Sequence, residues 1–583
     1  LLSTGLLGLF AGCTSGSGGG SDASPGRTYG TDGSAGAPQS DQEMGMTAGG
    51  AQDVGDFRNN VEEGYLPLPE SLSYEGLFSE YYFDTGGGGE CESLFCAAYS
   101  PGVSPDPLSG ETERYFTVGL VSGRSLAEFE RPALNLVVVL DVSSSMDGYF
   151  DRYYYDPETG EEREVEGETD REKIAVARDA LLTLTEQLRP DDRLGIVLFS
   201  DGAETYHELQ SVDETSMEAL REDIRSIRAN GGTNLYSGID RGFDVLEPYS
   251  DVDRSEYENR IVVLTDAQPN AGDTSLGGLR DDLEDAANVG NHTSFVGVGV
   301  DFNPELVDGI TSIRGANYYT VRSADQFRTR MGEEFQFMVT PLVFDLSVEV
   351  QGEGAEIVKV YGTSVDEQAT SELLSVPTLF PSPKESGKTK GGVILVEVDE
   401  AADATPEVVA SYETRVGHDR TDRARVTFPA GSAEQFANSG VRKSVLLARY
   451  GKLLRNWMIH ERDEELVEGE GDIDVAPEQG LGRWEQTSED LRVTPPYVDR
   501  IRTFREHFRT VGTDLGDEDL QQEVEMMDAI LATATDPETD ESSSSEASSN
   551  SSASPSSGAS SSAESSSESA AAASRRSSFW GRA

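Results

Sequence analysis

The sequence predicts an α/β protein: a doubly wound, parallel-sheet domain inserted in a β-sandwich, followed by a helical C-terminal region and a disordered tail. Three observations predict it. Val-rich apolar runs alternate with helical stripes between residues 132 and 340, period-two runs lie on both sides of that stretch, and the last 49 residues are dominated by Ser, Ala and Glu.

Leu134 to Leu140 is an unbroken apolar run, which suits a strand buried on both faces of a parallel sheet. Ile174, Ala177, Leu181, Leu184 and Leu188 then fall on one face of a helix. Leu194 to Phe199 is the next buried strand, and Ala203 to Val212 reads as a short edge strand. Met217, Leu220, Ile224 and Ile227 form a second helical stripe, which Gly231 and Gly232 are placed to terminate. Leu235, Ile239, Phe243 and Leu246 mark a third helix, and Ile261 to Leu264 another buried strand. Ser294 to Val300 and Asn317 to Val321 complete the strands, with helices opened by Asn303-Pro304 and spanning about 323–339.

The flanks alternate differently. Arg114 to Val121, Val343 to Val350, Ile357 to Tyr361, Val393 to Val398 and Val408 to Val416 read as strands of one sandwich assembled from both sides of the inserted domain. Apolar stripes at Val445, Leu446, Tyr450, Leu453, Leu454, Trp457 and Met458, and at Tyr497, Ile501, Phe504 and Phe508, make 432–534 helical. The expected organisation is a signal segment over 1–13, a flexible linker over 14–55, and an N-terminal segment with strands over 56–131. The inserted domain follows over 132–340, then sandwich over 341–431, helices over 432–534 and a disordered tail over 535–583.

Two carboxylates stand at the carboxyl ends of predicted strands: Asp141 follows Leu140 directly, and Asp266 comes two residues after Leu264. In an open parallel sheet, ligands bind in the crevice beyond those ends. Ser143 and Ser145 (DVSSS) and Thr233 (GGTN) lie on the same side. Oxygen ligands without His or Cys favour a hard divalent cation, Mg²⁺ or Mn²⁺, and leave a coordination position that an acidic group of a partner can fill. The alternative is a scaffold that keeps these residues without metal.

These residues resemble the von Willebrand factor type A (VWA) family, whose metal-ion-dependent adhesion site (MIDAS) has the pattern DxSxS…T…D. The resemblance implies a Rossmann-like VWA fold and a protein-binding role, with Asp141, Ser143, Ser145, Thr233 and Asp266 as metal ligands. Ser144 stands where Gly is common, and Ala267 where the family often has Gly. Phe57 to Phe83 resembles a region preceding the domain in a group of prokaryotic VWA lipoproteins. Residues 147–170 (DGYFDRYYYDPETGEEREVEGETD) are an insertion on the rim of the metal face, read either as a lid or as a solvated acidic loop.

Leu1 to Phe10 leads into Ala11-Gly12-Cys13, which resembles the lipobox of prokaryotic lipoproteins, with lipidation of Cys13. No initiator Met or basic n-region precedes it, so the signal reads as truncated. An extracytoplasmic, membrane-anchored setting then lets the remaining Cys91 and Cys96 form a disulfide. The net charge of -61, from 107 acidic and 46 basic residues, resembles proteins of haloarchaea. At 1 M salt the Debye length is about 3 Å, so such self-repulsion is screened. The same charge excludes nucleic acid as a partner, and no run of about 18 apolar residues spans a membrane. Catalytic motifs such as HExxH, GxSxG and a P-loop are absent, so the chain reads as no enzyme. The alternative to a metal-dependent adhesion or surface-assembly lipoprotein is a non-catalytic subunit assisting an AAA+ ATPase or transporter.

Overall fold

The computed structural model describes residues 43–87, 91–125, 129–148, 152–153, 163–164, 171–266, 276–298, 309–321, 324–332, 334–352, 355–363, 373–400, 405–462 and 489–534. Cys13, the helix expected at Asn303-Pro304 and the Ser-rich tail lie outside these residues.

One sheet has seven strands, in the order Ala203–Ser211, Arg193–Phe199, Ala133–Asp141, Tyr257–Thr265, Asn291–Val298, Asn317–Val321 and Gly50–Ala51. All neighbours pair in parallel except Ala203–Ser211, which runs antiparallel at the edge. Ala133–Asp141 is buried along its whole length, and the period of two divides it between two cores. Leu134, Leu136, Val138 and Leu140 pack with Ile174, Leu181 and Leu184 of the Lys173–Gln187 helix and with Leu220 and Ile224 of Met217–Ser226. Val137 and Val139 face the opposite way, toward Ile239 and Leu246 of Leu235–Leu246 and Leu279 and Leu283 of Leu276–Asn288. The Leu235–Leu246 helix lies very close to the sheet, since a Cβ on Gly238 would come within 2.7 Å of Phe199. The doubly wound expectation therefore holds.

Two local expectations do not. The Met217–Ser226 helix ends well before Gly231, which at φ 85° turns the following loop instead. The helix expected over 323–339 is two pieces, Ala324–Met331 and Phe335–Met338.

The other large sheet is antiparallel and has twelve strands. Phe95–Pro105 and Tyr412 are far apart along the pairing path, yet the Tyr412 hydroxyl donates to the Phe95 carbonyl at 3.1 Å and their rings meet edge to face. The sheet thus folds over a shared core of Phe116, Val118, Leu346, Val348, Ile394 and Val408, as a sandwich does. One long strand, Leu373–Glu385, escaped the sequence reading because it carries three prolines, which usually argue against a central strand. The register explains the tolerance of two of them: Pro381 and Pro383 face Met46 and Met44, beyond the last pairing of this strand with Val343–Gln351 at Leu379.

The expected linker over 14–55 must be corrected. Glu43–Ala48 is a strand between Thr112–Ser125 and Leu373–Glu385, and Gly50–Ala51 joins the edge of the parallel sheet. Met44, Met46 and Ala48 alternate into the sandwich core, a three-position signal too short to stand out from the Gly/Ser-rich composition around it.

Helices Gly55–Glu63 and Tyr74–Ser79 pack with Ser439–Arg462, Pro495–Leu515 and Gln521–Ala532 around Phe57, Leu77, Trp457, Phe504 and Met527. The N-terminal segment is therefore partly helical and shares its core with the C-terminal helices. Arg58, partnered by Glu80 and Glu523, ties these two distant parts of the chain together. Cys91 and Cys96 are bonded, with Cα atoms 6.0 Å apart, at the start of Phe95–Pro105.

Candidate metal centre

Asp141 ends its strand with its carboxylate fully buried, and the local backbone holds it there. Ser143 N–H donates to Asp141 Oδ1 at 2.8 Å, and the Thr265 hydroxyl, at the end of the adjacent parallel strand, donates to Oδ2 at 2.7 Å. Residues Ser144–Asp147 form a single 3-10 turn whose Met146 is buried, so the loop is pinned from below. Ser143 Oγ and Ser145 Oγ lie 2.9 Å apart. The loop bearing Thr233 is stitched to this one: Asn230 N–H donates to the Val142 carbonyl at 2.6 Å, and Ser144 N–H to the Gly231 carbonyl at 3.0 Å. Thr233 itself is buried, and Asn234 caps the next helix by accepting from Ser237 N–H.

Asp266 is buried one residue past its strand. Its Oδ2 accepts from the Lys173 ammonium at 3.3 Å, both side chains being shut off from solvent. Its Oδ1 is buried and has no hydrogen-bond partner among the described residues. Burial, and then the neighbouring Asp266 charge, push the Asp141 carboxyl up to about 7, against the bonds from Ser143 and Thr265 that favour ionisation. A buried carboxylate oxygen without a donor is costly. A hard cation bound by the carboxylates and hydroxyls would relieve both the orphan and the repulsion, so the residues present fit Mg²⁺ or Mn²⁺. Among the described residues there is no group of three or more His, Cys, Asp or Glu able to hold a metal, so hydroxyls have to share the ligation.

Sequence reasoning missed Lys173 and Thr265. Lys173 is one of few lysines in the chain and opens the helix after the site loop; only the fold brings it to Asp266. Most of the 147–170 insertion, including Asp151, Asp156 and Glu158, lies outside the described residues; Arg152–Tyr153 and Arg163–Glu164 pair as a short antiparallel ribbon.

A doubly wound sheet with paired carboxylates and hydroxyls beyond its strand ends defines a class of domain, and the comparisons name it. Residues 136–268 match the family model for the von Willebrand factor type A domain, so this part of the chain is a VWA domain. Inter-alpha-trypsin inhibitor heavy chain H1 of Sus scrofa is 27% identical over 156 residues, which is 26% of this chain and 15% of that protein. Heavy chain H3 of Mesocricetus auratus is 30% identical over 145 residues, 24% of this chain and 14% of the relative. The chain thus spans only a small part of the length of these relatives. A solved von Willebrand factor type A protein from Catenulispora acidiphila is similar over 64% of this chain and 81% of its own, at 13% identity and a TM-score of 0.39. The ArnB paralog VWA2 from Sulfolobus acidocaldarius is similar over 76% of this chain and 98% of its own, at 16% identity and a TM-score of 0.36. Among the described residues no helix is long and apolar enough to cross a membrane.

Proposed function

We propose that this protein is a non-catalytic, metal-dependent binding protein that holds a protein partner through Mg²⁺ or Mn²⁺ at the VWA domain. Asp141, Ser143, Ser145, Thr233 and Asp266 are its metal ligands, directly or through water, and a carboxylate of the partner completes the coordination sphere. The observation that carries the reading is the unpartnered, buried Oδ1 of Asp266 beside a second buried carboxylate. When bound, the ion would supply positive charge to the two carboxylates and could take an oxygen ligand from a partner. The chain's own contribution is positioning. Thr265 and the Ser143 backbone fix Asp141, and the 230–233 loop fixes the serines.

Lipid on Cys13 would anchor the protein on the outer side of a membrane, and the charge of -61 suits concentrated salt. The test is a pull-down from solubilised envelope in concentrated salt, comparing wild type with Mg²⁺, wild type with chelator, and Asp141→Ala. The expected result is a partner retained only in the first sample. Equal recovery in all three would move the binding surface to the sandwich or the helices.

A further inference from the structure

The Lys173 ammonium belongs to no ligand pattern, yet it is buried against one of the proposed metal ligands. It lies 3.3 Å from Asp266 Oδ2, with neither side chain exposed. Its helix begins after the 147–170 insertion, yet its backbone N–H donates to the Gly148 carbonyl at 2.9 Å, so the stem is anchored at the base of the site loop. Among the described residues this ammonium is the cation that meets Asp266, and the second buried carboxylate, Asp141, repels Asp266 beside it.

We propose that Lys173 is an internal counter-cation for the metal site: it holds Asp266 in the metal-free protein and opposes the incoming ion, thereby setting the divalent concentration at which the site fills. The inference rests on the metal-dependent reading above. Two like charges a few ångströms apart in a poorly screened interior repel strongly. The ammonium must therefore withdraw from Asp266 when the ion arrives or stay beside it at a cost, and either course weakens metal binding. Lysine suits this role because its charge is a point on a flexible stem, whereas a guanidinium would lock a carboxylate in a planar fork. The rest of the sheet makes the contrast: carboxylates buried at its other end are held by arginines. Without Lys173 the empty site would bury two carboxylates with no cation, so the same residue that weakens the metal also keeps the metal-free domain folded.

The test is titration calorimetry of the full chain in concentrated salt with Mg²⁺ and with Mn²⁺, each alone. Wild type, Lys173→Met, Lys173→Arg and Asp141→Ala are compared. Lys173→Met is expected to bind both ions at least tenfold more tightly than wild type, and to melt at a lower temperature than wild type in chelator. Lys173→Arg, which keeps the charge and holds the carboxylate in a fork, should bind no more tightly than wild type. Should Lys173→Met fail to fold in chelator, Lys173→Gln, and either variant refolded with Mn²⁺ present, supply the same affinity comparison. Unchanged or weaker metal binding in folded Lys173→Met and Lys173→Gln would overturn the inference while leaving the metal site intact. No metal binding by wild type or by any Lys173 variant would instead remove the metal-dependent reading itself.

Discussion

The two ends of the parallel sheet bury carboxylates in opposite ways. At the amino-terminal end, Asp192 accepts two bonds from Arg131, at 2.8 and 2.5 Å, plus backbone N–H groups of Leu134 and Arg189. Glu258 is met by Arg260, His292 and, from the sandwich, Arg415. At the carboxyl end, among the described residues, Asp141 is held by Ser143 and the Thr265 hydroxyl, and Asp266 by one ammonium, with an orphan oxygen. The saturated end is where the sandwich docks: Arg260 donates to the Gly315 carbonyl and Gly315 N–H to Thr378 Oγ1, both at 2.6 Å. At this sheet the satisfied carboxylates join parts of the fold, and the proposed ligand site is where one carboxylate oxygen is left unsatisfied. The docking also leaves the metal face at the far end from the sandwich.

The largest effect expected from this contrast is at the saturated end. Asp192→Ala leaves the Arg131 guanidinium buried and unpaired, and should cost about 3–5 kcal/mol of stability by denaturant unfolding in concentrated salt. Asp141→Asn removes a repulsive charge instead, and in chelator should change stability by no more than about 1 kcal/mol, or raise it. Equal losses for the two variants would erase the distinction between the ends.

A pH series sharpens it. Burial works against the Glu258 carboxylate, but Arg415, His292 and Arg260 outweigh it and hold the carboxyl down at about 2. Burial holds the His292 imidazole below its ordinary value, so the two arginines are the dependable source of that field. A depressed carboxyl contributes stability that is fully present above its unfolded value, near 4.5, and is lost as pH falls through about 2. Between those limits wild type should lose on the order of 3 kcal/mol that Glu258→Gln does not lose, read from urea midpoints at each pH.

On the proposed reading, metal acts at the other end alone. Mg²⁺ at a hundred times its dissociation constant should stabilise wild type by about 2.7 kcal/mol and leave Asp141→Ala unmoved, by thermal unfolding. A modest effect is expected from reducing Cys91–Cys96: the bridge closes a loop with a separation of only 5 residues, so at most about 2 kcal/mol is at stake, with no change in metal affinity. A thiol count on protein recovered without reductant checks the bridge itself.

Much of the doubly wound domain was legible because its signals are local. Asn317 to Val321 was bounded to the residue, since its two tyrosines, Thr and Val are residues that favour strands. Asp141 and Asp266 were readable as site candidates because their positions at strand ends follow from the apolar runs before them. Leu373–Glu385 and Glu43–Ala48 were not readable. Prolines mask Leu373–Glu385, and the glycine-rich neighbours of Glu43–Ala48 give it the composition of a tether.

By itself, then, the sequence determined the alternation of strands and helices and the oxygen-rich set at the strand ends, because periodicity and adjacency operate over a few residues. Tertiary structure alone decided which charges meet. Arg58 reaches Glu523 across a separation of 465 residues, and Lys173 reaches Asp266 across 93. No local pattern encodes such pairs; they exist because hydrophobic burial first brings the elements together, and the charged side chains left inside must then find partners or keep a place for one.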